Sequence, residues 1–466
     1  MNSQQRKTIY ACVILLLLVP IIMLGRPSSG TAESPGGKLA QLRTEYDLGE
    51  NALGNIDPTS SAMNLVLLGL RGPAASVLHQ RAIEYQGKKD WAKLRTTVDS
   101  IIKLQPHYEE VWKFQGWNLS YNVSREWDQV DDRYYWVKEG IKFTDQGTKR
   151  NQTAAILFHT VAEYVGRKIG MSDEKRFFRK FFLDDPDDEL WGANGPDTDI
   201  NPKSEDNYLR SRWWYQESNR VEEQHGIDGV EEVFARQGPV RAQMSYASAV
   251  EEEDNFSDDE VTEEELNDWR QRASEAWTNA YDEWMDVYGK DRFKGLDDIL
   301  YMLNASLPDN RSLAEENGVT LDRQLVIWQQ NVNMVNYNVW RDIAAAQKDP
   351  DTIEARLQFR LGKRAWAKGL TSDSIDDEGN TIASESEQHF LKGMKLMETV
   401  LEEYPAVKIQ DGFVDDILLA TFYFKRLHVL NSRELPKQYP LSDFLQMHQG
   451  READTYTQWV LETQGN

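Results

Sequence analysis

The chain has 466 residues, with 53 lysines and arginines against 77 aspartates and glutamates, so its net charge is −24 and its pI about 4.8. That length admits two or three domains or one long solenoid, while the acidic excess argues against a nucleic-acid partner, which needs a basic face to neutralise phosphates, and against anionic lipid headgroups. The single cysteine, Cys12, excludes an intrachain disulfide and, beyond the N-terminal segment, any thiolate metal site or cysteine nucleophile.

Thr8 to Gly25, "TIYACVILLLLVPIIMLG", carries no charge and follows Arg6 and Lys7. As a helix it would be about 27 Å long, close to the hydrocarbon thickness of a bilayer. Residues 1–26 are therefore expected to form a single N-terminal transmembrane anchor. A cleaved signal peptide is the competing reading, with Ser28 to Ala32 as its small-residue exit. Basic residues stay cytoplasmic. This places the bulk of the chain on the exocytoplasmic side of the inner membrane, behind a flexible tether over 27–56.

From 57 to 182 the pattern is helical. Trp91, Leu94, Val98, Ile101 and Ile102 fall three and four apart, one stripe of a helix bounded by "QGKKD" and by Leu104-Gln105-Pro106. Leu78, Ala82 and Tyr85 mark the preceding helix; Trp112, Gly116 and Leu119 mark the following one. Leu78 to Trp112, Ala82 to Gly116 and Tyr85 to Leu119 each span 34 positions. This is the tetratricopeptide period, with Pro106 at the closing position. Trp112 should fill an inter-helix groove and Gly116 should face Ala82 or its neighbours at a crossing. Trp117 and Tyr121 lie on another face and are candidates for a binding surface. A further helix pair, "DRYYWVKEGIKF" and "ILFHTVAEYVGRKIG", is expected to connect through Gly147.

Residues 183–261 read as an irregular acidic region. Asp, Pro, Gly and Asn crowd 183–206, where clustered carboxylates raise the question of Ca²⁺ without offering an EF-hand order. Glu251 to Glu265 holds ten acids and no base. Thr262 and Glu265 then form a capping-box signature. The stripe Leu266, Trp269, Ala273, Trp277, Ala280, Trp284, Tyr288 opens a helical segment over 262–349, with a later helix near Leu321–Gln347. Residues 350–466 read as a degenerate repeat. "LGKRAWAKG" and "GMKLMETVLEEYP" supply its two helices, separated by the polar insertion "SDSIDDEGNTIASES".

The seven histidines are dispersed, and neither a paired-His zinc spacing nor a P-loop, dinucleotide fingerprint or nucleophile elbow is present. No cofactor, metal or catalytic residue is thereby indicated. An Asp/Glu pair of the glycosidase kind stays open among so many acids. Six N-x-[ST] sequons include Asn118, Asn122 and Asn151.

"LGLRGPAASVLHQRAIEY", "KLQPHYEEVWKFQGWNLSYNVS", "DRYYWVKEGIKF" and "RKIG", in this order from about Leu65 to Gly170, resemble a family of membrane-anchored helical-repeat proteins of planctomycetes and related bacteria. Weaker echoes are "AWTNAYDEWMDVYG" and "VNYNVW". The resemblance implies an anchor and a repeat-like fold and transfers no catalytic residue. The expectation is an all-α, tetratricopeptide-like solenoid with irregular insertions on one transmembrane helix. It would be a non-enzymatic scaffold for a protein or peptide partner in the cell envelope. An envelope glycan-binding protein or glycosidase is the alternative, since sugar rings stack on aromatics and bond to carboxylates. N-terminal sequencing of membrane fractions should find the chain intact; a soluble form starting near Thr31 would refute the anchor.

Overall fold

Spacings of three and four between apolar residues become helices along most of the described chain. The computed structural model describes residues 71–187, 195–225, 230–253, 256, 261–295 and 298–464. The expected anchor and tether lie outside the described residues. Among the described residues, no helix is long and apolar enough to cross a membrane. The chain divides into two units, Met1–Ile227 and Asp228–Asn466.

The first unit opens with α1 (Arg71–Gly87) and α2 (Trp91–Leu104). Asp90 caps α2 by accepting from the Lys93 amide. Leu94, Val98, Ile101 and Leu104 form its buried stripe. Gln105, at φ −140° and ψ 79°, leaves the helical region, which the following proline disfavours, and ends the helix. α3 (Glu109–Trp117) runs on into a π turn (Asn118–Val123) and a 3₁₀ turn (Ser124–Glu126). α4 (Val130–Arg150) follows, then α5 (Ala155–Glu163), which also continues as a π turn (Tyr164–Lys168). α6 (Lys175–Leu183) and α7 (Asn207–His225) complete the unit.

Leu78, Ala82, Tyr85 and Trp112 share one apolar cluster with the α2 stripe. Trp112 is 2% exposed, packs on Phe143 at 5.0 Å between ring centroids, and donates its indole N–H to the Pro106 carbonyl at 2.8 Å. Pro106 is buried, and Leu119 is half-buried within the π turn. Gly116 departs from expectation: its neighbours are on α4, not at Ala82. A Cβ on Gly116 would collide with Thr144 and lie 3.3 Å from the Gly140 carbonyl, and one on Gly140 would lie 2.7 Å from the Gly116 carbonyl. The two backbones touch, so neither position has room for a side chain. Gly147 is not a connection either. It lies inside α4, where a Cβ would come within 2.9 Å of the Trp112 indole.

The stretch 183–261 is not one irregular region. It holds α7 and, in the second unit, α8 (Val230–Ala235) and α9 (Gly238–Glu252). The apolar stripe of α7 is disguised by serines. Ser211 and Ser218 are buried and donate to the Ala162 and Ala155 carbonyls of α5 at 2.7 and 2.9 Å.

In the second unit Thr262 and Glu265 close a capping box at the start of α10 (Glu263–Asp282), which continues as a third π turn (Glu283–Tyr288). Trp269, Ala273, Trp277, Ala280, Trp284 and Tyr288 are all buried. A short antiparallel hairpin follows, β1 (Phe293–Lys294) against β2 (Leu300–Tyr301), with Phe293 opposite Tyr301. Then come α11 (Leu307–Asn317), α12 (Leu321–Met334) and α13 (Tyr337–Gln347). The helix expected over Leu321–Gln347 is thus two, parted where Asn336 takes a left-handed conformation at φ 52°. α14 (Pro350–Ala367) and α15 (Glu385–Glu403) pack through reciprocal notches, Gly362 receiving the Phe390 ring and Gly393 the Phe359 ring. The polar insertion between them forms a second hairpin, β3 (Ser374–Ile375) with β4 (Thr381–Ile382). A 3₁₀ turn (Pro405–Ile409), α16 (Asp411–Leu430), α17 (Ser442–Met447) and α18 (Glu452–Gln464) finish the chain.

Gly140→Leu must push α3 off α4 and should cost at least about 1–3 kcal/mol. Trp112→Ala should cost about 3–5 kcal/mol. Gly412, whose Cβ would meet nothing, is the control: Gly412→Ala should stay within about 0.5 kcal/mol of the parent. Urea unfolding measures all three, and midpoints equal to the parent's for the first two would refute the tight crossing.

Candidate functional site

The two π turns of the first unit lie where α3 and α5 lose their regular hydrogen bonding, a feature frequent at functional sites. Each carries polar residues that hold it. Asn118 is buried, with its side-chain oxygen accepting from Asn122 Nδ2 at 2.9 Å; Ser124 donates to the Ser120 carbonyl at 2.6 Å. Asn207 Nδ2 donates to the carbonyl of Val165 in the other π turn at 2.9 Å.

Trp117 leaves the end of α3 45% exposed, and its ring stacks on Tyr121 at 5.9 Å with 20° between planes. Tyr121 meets Tyr164 edge-on at 6.0 Å, and Lys168 Nζ lies 5.2 Å from the Tyr121 ring centre. Burial, followed by the charge of Glu163, pushes the Tyr121 phenol above its ordinary value. Burial pulls the Lys168 amine down. His159, edge-on to Tyr215 at 4.9 Å, is likewise lowered by burial, against the influence of Glu163. Glu163 itself meets Arg167 at 3.5 Å. The result is a two-ring platform backed by a third ring and an ammonium group, with one carboxylate, one guanidinium and one imidazole in its surroundings. Such a surface can stack on a flat or apolar ligand face and hydrogen-bond at the margin.

The two residues proposed from sequence, Trp117 and Tyr121, are therefore brought together. The others proposed, Leu78, Ala82, Tyr85, Pro106, Trp112, Gly116 and Leu119, lie in packing positions. Sequence reasoning missed Tyr164 and Lys168, which come from the second π turn. It also missed the stacked pair Trp127 and Trp136 at 6.3 Å, where Trp127 is exposed. The signal for Trp127 was its place just before the polar "DQVDD" start of α4, off any apolar stripe.

Asp185, Asp187 and Asp197, in the stretch 183–206, find cations in α4. Lys138 is buried and reaches Asp185 and Asp187 at 2.8 Å each and Asp197 at 3.5 Å; Lys142 meets Asp197 at 2.6 Å. Burial works against the Lys138 charge, but its bonds to Asp185 and Asp187 outweigh it and hold the amine above its ordinary value. Lysine ammonium groups thus neutralise Asp185, Asp187 and Asp197. Among the described residues, no three His, Cys, Asp or Glu groups converge to hold a metal. Of the sequons, Asn118, Asn151 and Asn310 are buried, so the fold closes them to a glycan.

Compared with known proteins, the chain matches no family model and no curated sequence.

Lys138→Met strands buried Asp185 without its cation and should cost about 3–5 kcal/mol in urea unfolding. The Asp197 carboxyl is opposed by burial yet held below its ordinary value by Lys142 and the Asp199 amide. Its contribution is present above the unfolded carboxyl range and lost as pH falls through the lower folded value. Lys142→Gln should therefore raise the pH at which the chain unfolds in acid, followed by circular dichroism; an unchanged acid midpoint would refute the linkage.

Proposed function

We propose that this chain is a non-enzymatic binding scaffold of the cell envelope, tetratricopeptide-like in its helical pairs and held at the membrane by residues 1–26. The observation that carries the reading is the Trp117–Tyr121 stack, a large aromatic surface left open to solvent on a rigid helical support. Tryptophan, tyrosine and arginine dominate the energetic centres of protein interfaces, because they bury much area for little conformational cost. Trp117, Tyr121 and neighbouring Arg167 supply that composition, and a protein or peptide partner is the occupant. The reciprocal notches of α14 and α15 and the shared cluster of α1, α2 and Trp112 support a repeat-derived architecture. The resemblance to membrane-anchored repeat proteins points the same way. A second reading, an envelope glycan, is favoured by one feature: a flat indole face with Glu163 in its neighbourhood, since a sugar ring stacks and donates hydroxyls.

Trp117→Ala should leave urea stability within about 0.5 kcal/mol, as an exposed side chain does, and reduce retention of envelope partners at least tenfold. The measurement is affinity capture from envelope extract, run in parallel against purified envelope polysaccharide. Loss of protein capture alone supports the scaffold, and loss of polysaccharide retention alone supports the glycan reading. Equal retention of both by parent and variant would overturn the site.

A further inference from the structure

In the second unit a guanidinium lies on an aromatic wall and meets no carboxylate among the described residues. Arg241, in the first turn of α9, has its Cζ 3.3 Å from the Trp340 ring centre and 5.4 Å from that of Trp284. The wall is rigid. Trp284 stacks on Tyr337 at 5.3 Å and 16°, its indole N–H donates to the Tyr337 carbonyl at 3.2 Å, and Tyr337 Oη returns a bond to the Trp284 carbonyl at 3.2 Å. The single hydrogen bond made by the Arg241 side chain to a described residue is a long one, 3.4 Å to Gln237 Oε1.

Several acids of the second unit pair with other cations. Glu232 and Asp291 bind Arg236 at 2.8 and 2.7 Å, Asp286 binds Lys290 at 2.6 Å, Asp342 binds Arg341 at 2.9 Å, and Glu251 binds Arg356 at 2.8 Å. Burial is the main influence on Arg241 and lowers its pKa to about 10, leaving the group charged at neutral pH. A second cation, the Lys348 ammonium, lies 3.7 Å from the Tyr281 ring centre and also meets no carboxylate among the described residues. It follows Trp340 by two turns of helix, about 12 Å along α13. Arg241 is half-buried, so solvent still reaches it while the rings fix its plane.

We infer that Arg241, laid against Trp340 and Trp284, is a binding site for an oxyanion, the carboxylate or phosphate group of a ligand. A planar guanidinium presents two parallel N–H donors that match such a group bidentately, and an aromatic backing fixes their direction before binding. The site is independent of the Trp117 platform.

The test titrates the full chain with potassium phosphate and, separately, with potassium acetate at constant ionic strength, following tryptophan fluorescence. A saturable change is expected with at least one probe, and the probe that produces it tells a phosphate ligand from a carboxylate one. Arg241→Gln should weaken the response at least tenfold. Arg241→Lys keeps the charge and loses the fork, so it should weaken the response less, and it stands in where the glutamine variant loses helical circular dichroism. A change that does not saturate with either probe, or that saturates equally in parent and variants, would overturn the proposal.

Discussion

Contact between the backbones of α3 and α4, at Gly116 and Gly140, sets the geometry of the first unit. A helix pair separated by side chains can slide or rotate by an ångström at small cost. A pair in which each glycine carbonyl lies against the other's Cα cannot, because the next atom is the main chain itself. Trp112 is pinned in turn, with Gly147 beneath its ring and the Pro106 carbonyl on its N–H. The register of α3 is thus fixed at two points. Trp117 ends α3, and the π turn that follows carries Tyr121, on which the indole stacks.

The same logic governs charge. Seventy-seven acids would repel one another and loosen the fold if they all sat in one field. Where carboxylates do enter the interior, the chain brings a cation to them: Lys138 and Lys142 of α4 for the loop after α6, Arg356 of α14 for Glu251, and Arg433, just past α16, for Glu387 and Asp373. Each pair also ties an irregular segment or a helix end to a helix. Charge pairing here is less a source of net stability, which desolvation erodes, than a way of fixing where loops lie. Arg241 departs from this habit, a cation in a half-buried place that meets no carboxylate among the described residues.

Periodic stripes made the helices legible. α2, α10 and α15 stand where apolar spacing put them, and Thr262 with Glu265 marked a true helix start. Contacts between helices were less legible. An offset of 34 residues says which positions are equivalent, not which ones touch, so Ala82 was the wrong neighbour for Gly116. α7 was hidden because Ser211 and Ser218 replace hydrocarbon in its packing face, and their hydroxyls bond to carbonyls that only the fold brings near. Gly147 read as a turn, since a glycine required by a neighbour's ring and one required by a bend are the same letter. Trp117 and Tyr121 could be placed on one face from their spacing of four. Their supports Tyr164 and Lys168 could not, being more than forty residues further along and presented by a second π turn.

The two units use one local device with different results. Trp112 and Trp277 are each preceded at two residues by a glutamate and followed at six by the first residue of a π turn, Asn118 in one case and Glu283 in the other. Both tryptophans are buried anchors. After the anchor the side chains diverge. The first unit carries Trp117 and Tyr121 and shows an open ring pair. The second carries Trp284 and Tyr288 and buries both, spending its rings on a wall for Arg241. The backbone irregularity therefore does not specify a ligand. It supplies a wide, fixed turn, and the residues threaded through that turn decide whether the surface offers an aromatic face or a backed cation.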